Sequence, residues 1–222
     1  ARPDGYASWS AKRQGKYLAE KRNFLHDLLI SDDLRREPVL VDFALSDKIL
    51  GIATKYLGTI PYVRRVDLLY SQPRGADDSV SSQLYHVDPE GVTQVKFFIQ
   101  LFNVGEPEGP FTFIPADDSD RILPMVRKTR RKQGTRHMSR YRDDEVAVVP
   151  HDTVCVTGPA DSGVAVDTSR CLHLGSRVQP GTFRVCLFLQ YCTAPVPGSH
   201  VFDAERFRGH QVQYLAVAHS AR

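Results

Sequence analysis

The chain has 222 residues, 41% hydrophobic and 25% charged, an ordinary globular composition with enough length to bury one sizeable core. A net charge of +3 is too small to argue for a nucleic-acid partner, and no run of about 18 apolar residues offers a membrane span. Residues 1–18 lack the apolar stretch of a signal peptide, so the expectation is one soluble, cytoplasmic domain over 1–222.

Helices lead the chain. Over residues 8–30, Trp9, Tyr17, Leu18, Phe24, Leu25, Leu28 and Leu29 recur among charged residues at a spacing that predicts an amphipathic helix. Ser46 is placed to cap a second helix, DKILGIATKYLG, which Gly58 would stop. Residues 1–60 thus form a helical N-terminal part.

From Pro61 the pattern changes to short apolar runs punctuated by Gly, Pro, Asp or Asn, as in the strands of a sandwich or barrel. The runs are YVRRVDLLYS, SSQLYHVD, TQVKFFIQLFNV, GPFTFIPA, EVAVVPHDTVCVTG, GVAVDTSRCLHLG and FRVCLFLQYCT. They define a mainly β core over 61–195, followed by a C-terminal segment, 196–222.

The core is interrupted at 117–144 by an insertion rich in Arg and Lys with acidic ends. It reads either as a solvated helical excursion or as a lid or docking surface for an acidic or carrier-bound substrate. Only Tyr141 interleaves the basic run, which speaks against nucleic acid. Cys155, Cys171, Cys186 and Cys192 form no C-x-x-C pair, so they are expected as reduced, mostly buried small hydrophobes.

Chemistry concentrates at three points. His86 and Asp88 stand two apart on an expected strand, so the period of two turns both to one face, where they can share a metal ion. Alone the pair is weak evidence. His173, at the end of a distant apolar run, supplies the third ligand of a facial triad, which leaves the opposite positions of the metal open. Arg184 opens the next strand, eleven residues after His173, and its guanidinium suits a dicarboxylate cosubstrate. Arg177 is a rival clamp but falls in the turn SRVQPG.

Strand parity sharpens the assignment. Phe183, Val185, Leu187, Leu189 and Tyr191 share an apolar face suited to the helices, while Arg184, Cys186, Phe188 and Gln190 share a mixed face suited to a cavity. Likewise Val95, Phe97, Ile99 and Leu101 oppose Lys96, Phe98, Gln100 and Phe102, which makes Lys96 a candidate cosubstrate contact. Tyr70, Gln83, Tyr85 and Thr112 are further candidates for the cavity. His26, His137, His151, His200, His210 and His219 have no partner at useful spacing and read as surface or packing histidines.

His86-Val87-Asp88, then KFFIQLFNVGEPEGPFTFIP, then His173 and Arg184 resemble the phytanoyl-CoA dioxygenase-like family of Fe(II)/2-oxoglutarate-dependent oxygenases over roughly residues 60–195. The resemblance implies a double-stranded β-helix of the jelly-roll, cupin-like kind, with helices packed on one sheet. It also implies Fe(II) at His86, Asp88 and His173, 2-oxoglutarate on Arg184, O2 as oxidant and ascorbate as a supporting reductant. The retained Asp88 points to a hydroxylase acting on a small metabolite, because halogenating members lack that carboxylate. Where many members continue Pro-Gly-Ser-His, Pro115 here leads into the basic insertion. Two alternatives stay open: a catalytically silent β-helix protein that binds an acidic ligand or partner through the insertion, and a non-oxidative jelly-roll enzyme using Zn or Mn.

Overall fold

The computed structural model describes residues 21, 23–29, 33–36, 39–75, 78–89, 92–134 and 139–193. The expected helical stretch over 8–20 and the C-terminal segment 196–222 lie outside them. So do His137, His200, His210 and His219.

The N-terminal part differs from the expectation at its described end. Leu25–Asp27 is not helical but forms an edge strand, β1, paired antiparallel with Leu69–Ser71. Three short helices follow, α1 at Asp33–Arg36, α2 at Val39–Ala44 and α3 at Asp47–Leu57. The last begins and ends as the sequence predicts: Gly58 takes a left-handed φ of 69° and its N–H closes on the Thr54 carbonyl. Ser46 precedes it in extended conformation, but its hydroxyl turns back to the Phe43 carbonyl instead of capping.

Two antiparallel sheets make the core. The larger, in order β1-β2-β8-β3-β6, is built from β2 (Tyr62–Ser71), β8 (Arg184–Cys192), β3 (Gln94–Gln100) and β6 (Gly163–Val166) with β1 at its edge. Strands distant in sequence lie side by side, the winding of a jelly roll. The smaller sheet, β5-β4-β7, uses Val154–Cys155, Thr112–Phe113 and His173–Leu174. Single bridges His86↔His173 and Tyr85↔Tyr141 extend it by two further segments.

Burial follows strand parity within the strands, whereas Phe183, Leu101 and Phe102 lie beyond the strand ends and are exposed. Leu187, Leu189 and Tyr191 join Val63, Val66, Val95 and Phe97 beneath Val41, Ala44, Ile49 and Ala53 of α2 and α3. The Tyr191 hydroxyl reaches the Ala44 carbonyl at 2.6 Å, so the one polar atom of this layer is satisfied. A register shift between Val63 and Arg65 lets Val63 and Val66 both face the helices while Arg65 and Asp67 lie opposite Gln190 and Phe188 on the inner face. Each fully buried Leu or Phe of the outer layer contributes about 1.5–3 kcal/mol. The inner face, with Lys96, Arg184, Gln94 and Gln190 buried, costs stability unless each finds a partner. Such a face is built for something other than stability.

The basic insertion is not a solvated excursion. Helix α4 (Ala116–Lys132) lays Ile122, Leu123 and Val126 on Tyr85, Ile114, Tyr141, Leu172 and Leu174, covering the outer face of the smaller sheet. Helices therefore flank both sheets instead of one. Two expected strands also differ. The run 145–158 contributes only Val154–Cys155, preceded by the short helix α5 at Asp143–Val146, and SSQLYHVD opens as a 3-10 turn at Ser81–Gln83. All four cysteines are free, and Cys171, Cys186 and Cys192 are buried as expected, whereas Cys155 is exposed. No described helix is long and apolar enough to cross a membrane.

Candidate metal centre

His86 and His173 meet because their backbones pair: each N–H donates to the other's carbonyl, at 3.0 and 2.9 Å. The imidazole centroids lie 4.2 Å apart. Asp88 is brought in by the same extended segment, anchored where its N–H donates to the Thr168 carbonyl at 2.8 Å. His86, Asp88 and His173 each offer a ligand atom, all within 4.8 Å of one another. The Asp88 carboxylate stands 3.8 Å from His86 Nε2 and 3.6 Å from His173 Nε2. Ligand atoms at right angles around a transition metal are about 3 Å apart, so each of these two gaps would close by less than about 1 Å onto an ion.

Each imidazole is already turned for ligation. His86 Nδ1 sits 2.8 Å from the Leu84 carbonyl and His173 Nδ1 2.9 Å from that of Cys171. A carbonyl only accepts, so both Nδ1 atoms carry the proton and both Nε2 lone pairs face Asp88. Burial lowers the pKa of both rings, and for His86 the charge of Arg140 adds to the effect. Burial alone would raise the Asp88 carboxyl, but the Lys96 ammonium outweighs it and holds it well below the usual carboxylate range. Two neutral nitrogens and one carboxylate on a single side fit a divalent transition metal without any change of protonation.

Lys96 does enter this space, but its ammonium is paired with Asp88 Oδ2. It also lies 5.5 Å from the centroid of Phe188. Phe188 begins an aromatic wall: Phe98 meets it edge-on at 5.2 Å and stacks on Phe111 at 4.1 Å, and Phe111 lies 5.5 Å from His173. The wall closes one side of the centre to water. Gln100 instead ties the sheet to the Val156 carbonyl at 2.7 Å, and Gln190 donates to Gln94.

Arg184 is buried at the start of β8, where Nη1 donates to the Gly109 carbonyl at 2.7 Å and Nη2 to Ser176 Oγ at 3.1 Å. Both acceptors are neutral, its Nε is buried with no partner, and no carboxylate pairs with it among the described residues. Gly109 must be glycine: its φ is 63°, and an added Cβ would fall 2.6 Å from the Arg177 carbonyl carbon. Arg177 itself is spent at the surface, clamping Asp143 through two 2.8 Å bonds.

Of the further candidates, Tyr85 lies under α4, Thr112 pairs with the α4-facing Leu174, and Tyr70 packs against Phe183 and His26. Gln83 bonds the Ser176 carbonyl in the loop beneath Arg184. His151 turns its Nδ1 to the Val149 carbonyl, a local contact. Sequence reasoning passed over Ser71 and Ser176, whose hydroxyls meet at 2.9 Å beside Arg184. It also passed over Arg140, whose closeness to His86 arises only from the Tyr85↔Tyr141 bridge. No local signal marks either.

No family model matches the chain, and no curated protein matches it. Solved structures do. HygX from Streptomyces hygroscopicus, solved with nickel and 2-oxoglutarate bound, superposes with a TM-score of 0.53 at 13% identity, over 83% of this chain and 79% of that one. EctD from S. alaskensis, solved with bound Fe, gives 0.50 at 16% identity over 82% and 66%. The epimerase SnoN from nogalamycin biosynthesis gives 0.49 at 16% identity over 84% and 75%. At these identities the likeness to HygX and EctD is one of fold, and it agrees with the jelly-roll winding of the two sheets.

Proposed function

We propose that this chain is an Fe(II)- and 2-oxoglutarate-dependent dioxygenase that hydroxylates a small metabolite. The observation that carries the reading is the conjunction of two features on facing sheets. One is a His-Asp-His set with both Nε2 lone pairs turned to the carboxylate; the other is a buried guanidinium that no carboxylate among the described residues neutralises. An uncompensated buried cation is costly, and an anionic cosubstrate removes that cost.

Iron and 2-oxoglutarate, when bound, supply the chemistry: O2 is consumed, 2-oxoglutarate becomes succinate and CO2, and a substrate C–H becomes C–OH. The protein's part follows from its residues. His86, His173 and Asp88 would hold one side of the ion. Arg184, held in place by the Gly109 carbonyl and Ser176 Oγ, would receive the far carboxylate of the cosubstrate with its remaining N–H groups. Lys96 keeps Asp88 ionised and fixes its outer oxygen. Phe98, Phe111 and Phe188 exclude water from the reacting side.

The test is reconstitution under argon. Fe(II) with 2-oxoglutarate should give a weak visible charge-transfer band, and admission of O2 should bleach it with formation of succinate. Neither band nor succinate would refute the proposal.

A further inference from the structure

We propose that Arg140 is a specificity-determining residue that binds an anionic group of the substrate, a carboxylate or a phosphate, beside the metal centre. The inference rests on the function proposed above and adds the substrate class. Its basis is the pairing of the smaller sheet. Tyr85 and Tyr141 are antiparallel partners, with N–H···O bonds of 2.9 and 2.8 Å in both directions. In antiparallel pairing the residue after one partner faces the residue before the other, so Arg140 stands opposite His86. Side chains alternate along extended chain, and Tyr85 and Tyr141 both lie in the cluster under α4. Arg140 and His86 therefore share the other face, the one that carries His173 and Phe113. One row runs across the sheet: Arg140, His86, His173, Phe113.

Two further observations make this a built position. Arg130 donates to the Arg140 carbonyl, and Arg130 is itself fixed by two 2.6 Å bonds to Glu145 and by the Tyr141 ring 4.5 Å away. The backbone of Arg140 is thus tied to α4 and α5, although residues 135–138 just before it lie outside the described set. Finally, Arg140 is half-buried whereas Arg184 is fully buried. The deep guanidinium suits a cosubstrate common to every turnover; the one nearer solvent suits the molecule that differs. The planar guanidinium fork suits a carboxylate or phosphate at that position.

The proposal is tested with matched probe pairs, small carboxylic acids with their primary amides and phosphate monoesters with their parent alcohols. Binding is read by calorimetry on wild type, Arg140→Gln, Arg140→Lys and Arg184→Gln, each with and without Fe(II) and 2-oxoglutarate under argon. In wild type, acids or phosphates should bind about tenfold or more tightly than their neutral partners. Arg140→Gln should abolish the preference, Arg140→Lys should keep part of it, and Arg184→Gln should leave it intact. Preference for acids locates a carboxylate substrate, preference for phosphates a phosphate ester. Equal binding of acids and neutrals, no anion that distinguishes Arg140→Gln from wild type, or an equal loss of 2-oxoglutarate affinity in Arg140→Gln would overturn the proposal. Arg140-dependent anion binding in a protein that takes up neither Fe(II) nor 2-oxoglutarate would uphold it and sink the oxygenase function instead.

Discussion

Replacing Arg184 by Gln should weaken 2-oxoglutarate binding and leave the metal in place. The guanidinium is positioned by the Gly109 carbonyl and Ser176 Oγ, at 2.7 and 3.1 Å, which leaves its other N–H groups for a carboxylate. A bidentate carboxylate on this fork makes two charge-assisted bonds, and truncating one partner of a buried charged pair costs about 2–5 kcal/mol. At 1.4 kcal/mol per tenfold, the dissociation constant should rise by about 30- to 3,000-fold. Arg184→Lys keeps the charge without the planar fork and should fall between Gln and wild type. The assay is anaerobic titration of the charge-transfer band with 2-oxoglutarate at saturating Fe(II), with Fe(II) binding measured separately. The ligand atoms of His86, Asp88 and His173 do not touch Arg184, so iron affinity should hold. Loss of iron with unchanged 2-oxoglutarate affinity would refute the division of roles.

Gly109→Ala should repeat part of that loss without touching the guanidinium, because its Cβ would push on the Arg177 backbone and displace the carbonyl that supports Arg184; a 2-oxoglutarate titration equal to wild type would contradict it. Ser119→Ala should destabilise the fold by about 1–3 kcal/mol in urea unfolding, since the buried hydroxyl both donates to the Ile114 carbonyl and accepts the Leu172 N–H. Leu189→Ala, under the helices, should cost about 2–5 kcal/mol by the same assay and leave metal affinity unchanged. The pH dependence of stability should show the Arg130–Glu145 pair. Its hydrogen bonds to Arg130 hold the Glu145 carboxyl below the usual range, so its stabilisation is full above the unfolded value of about 4.3 and is lost as pH falls through the folded one. Glu145→Gln should be less stable than wild type at pH 7, and the gap should shrink on acidification; a gap that is constant with pH would contradict the pairing.

Much of the architecture was legible because local and tertiary signals agree. Tyr62–Ser71 and Arg184–Cys192 lie in the runs expected of them, and the parity of β8 separates the helix-facing Leu187, Leu189 and Tyr191 from Arg184 and Phe188. Asp47–Leu57 ends where Gly58 supplies a left-handed residue. The departures share one physical cause, pairing with residues far away in sequence. Leu25–Asp27 has helical spacing but is drawn into the sheet by Leu69–Ser71. The segment around His86 is held by single bridges on either side instead of a ladder, so it is extended without being a regular strand. In α4 the apolar trio Ile122, Leu123 and Val126 was masked by the surrounding charge, although it packs on Tyr85, Ile114, Tyr141, Leu172 and Leu174. The juxtaposition of His86, Asp88 and His173 could be expected because two histidines and a carboxylate fall in separate extended runs, which the fold brings within 4.8 Å. Arg140 could not, being one of many arginines in its stretch until the Tyr85↔Tyr141 bridge selects it.

The most direct measurement is a crystal structure grown under argon with Fe(II) and 2-oxoglutarate. It should place one iron about 2.0–2.2 Å from His86 Nε2, His173 Nε2 and an Asp88 oxygen, with the far carboxylate of 2-oxoglutarate on the Arg184 guanidinium. Iron held by other side chains, or a cosubstrate carboxylate bound away from Arg184, would contradict the account.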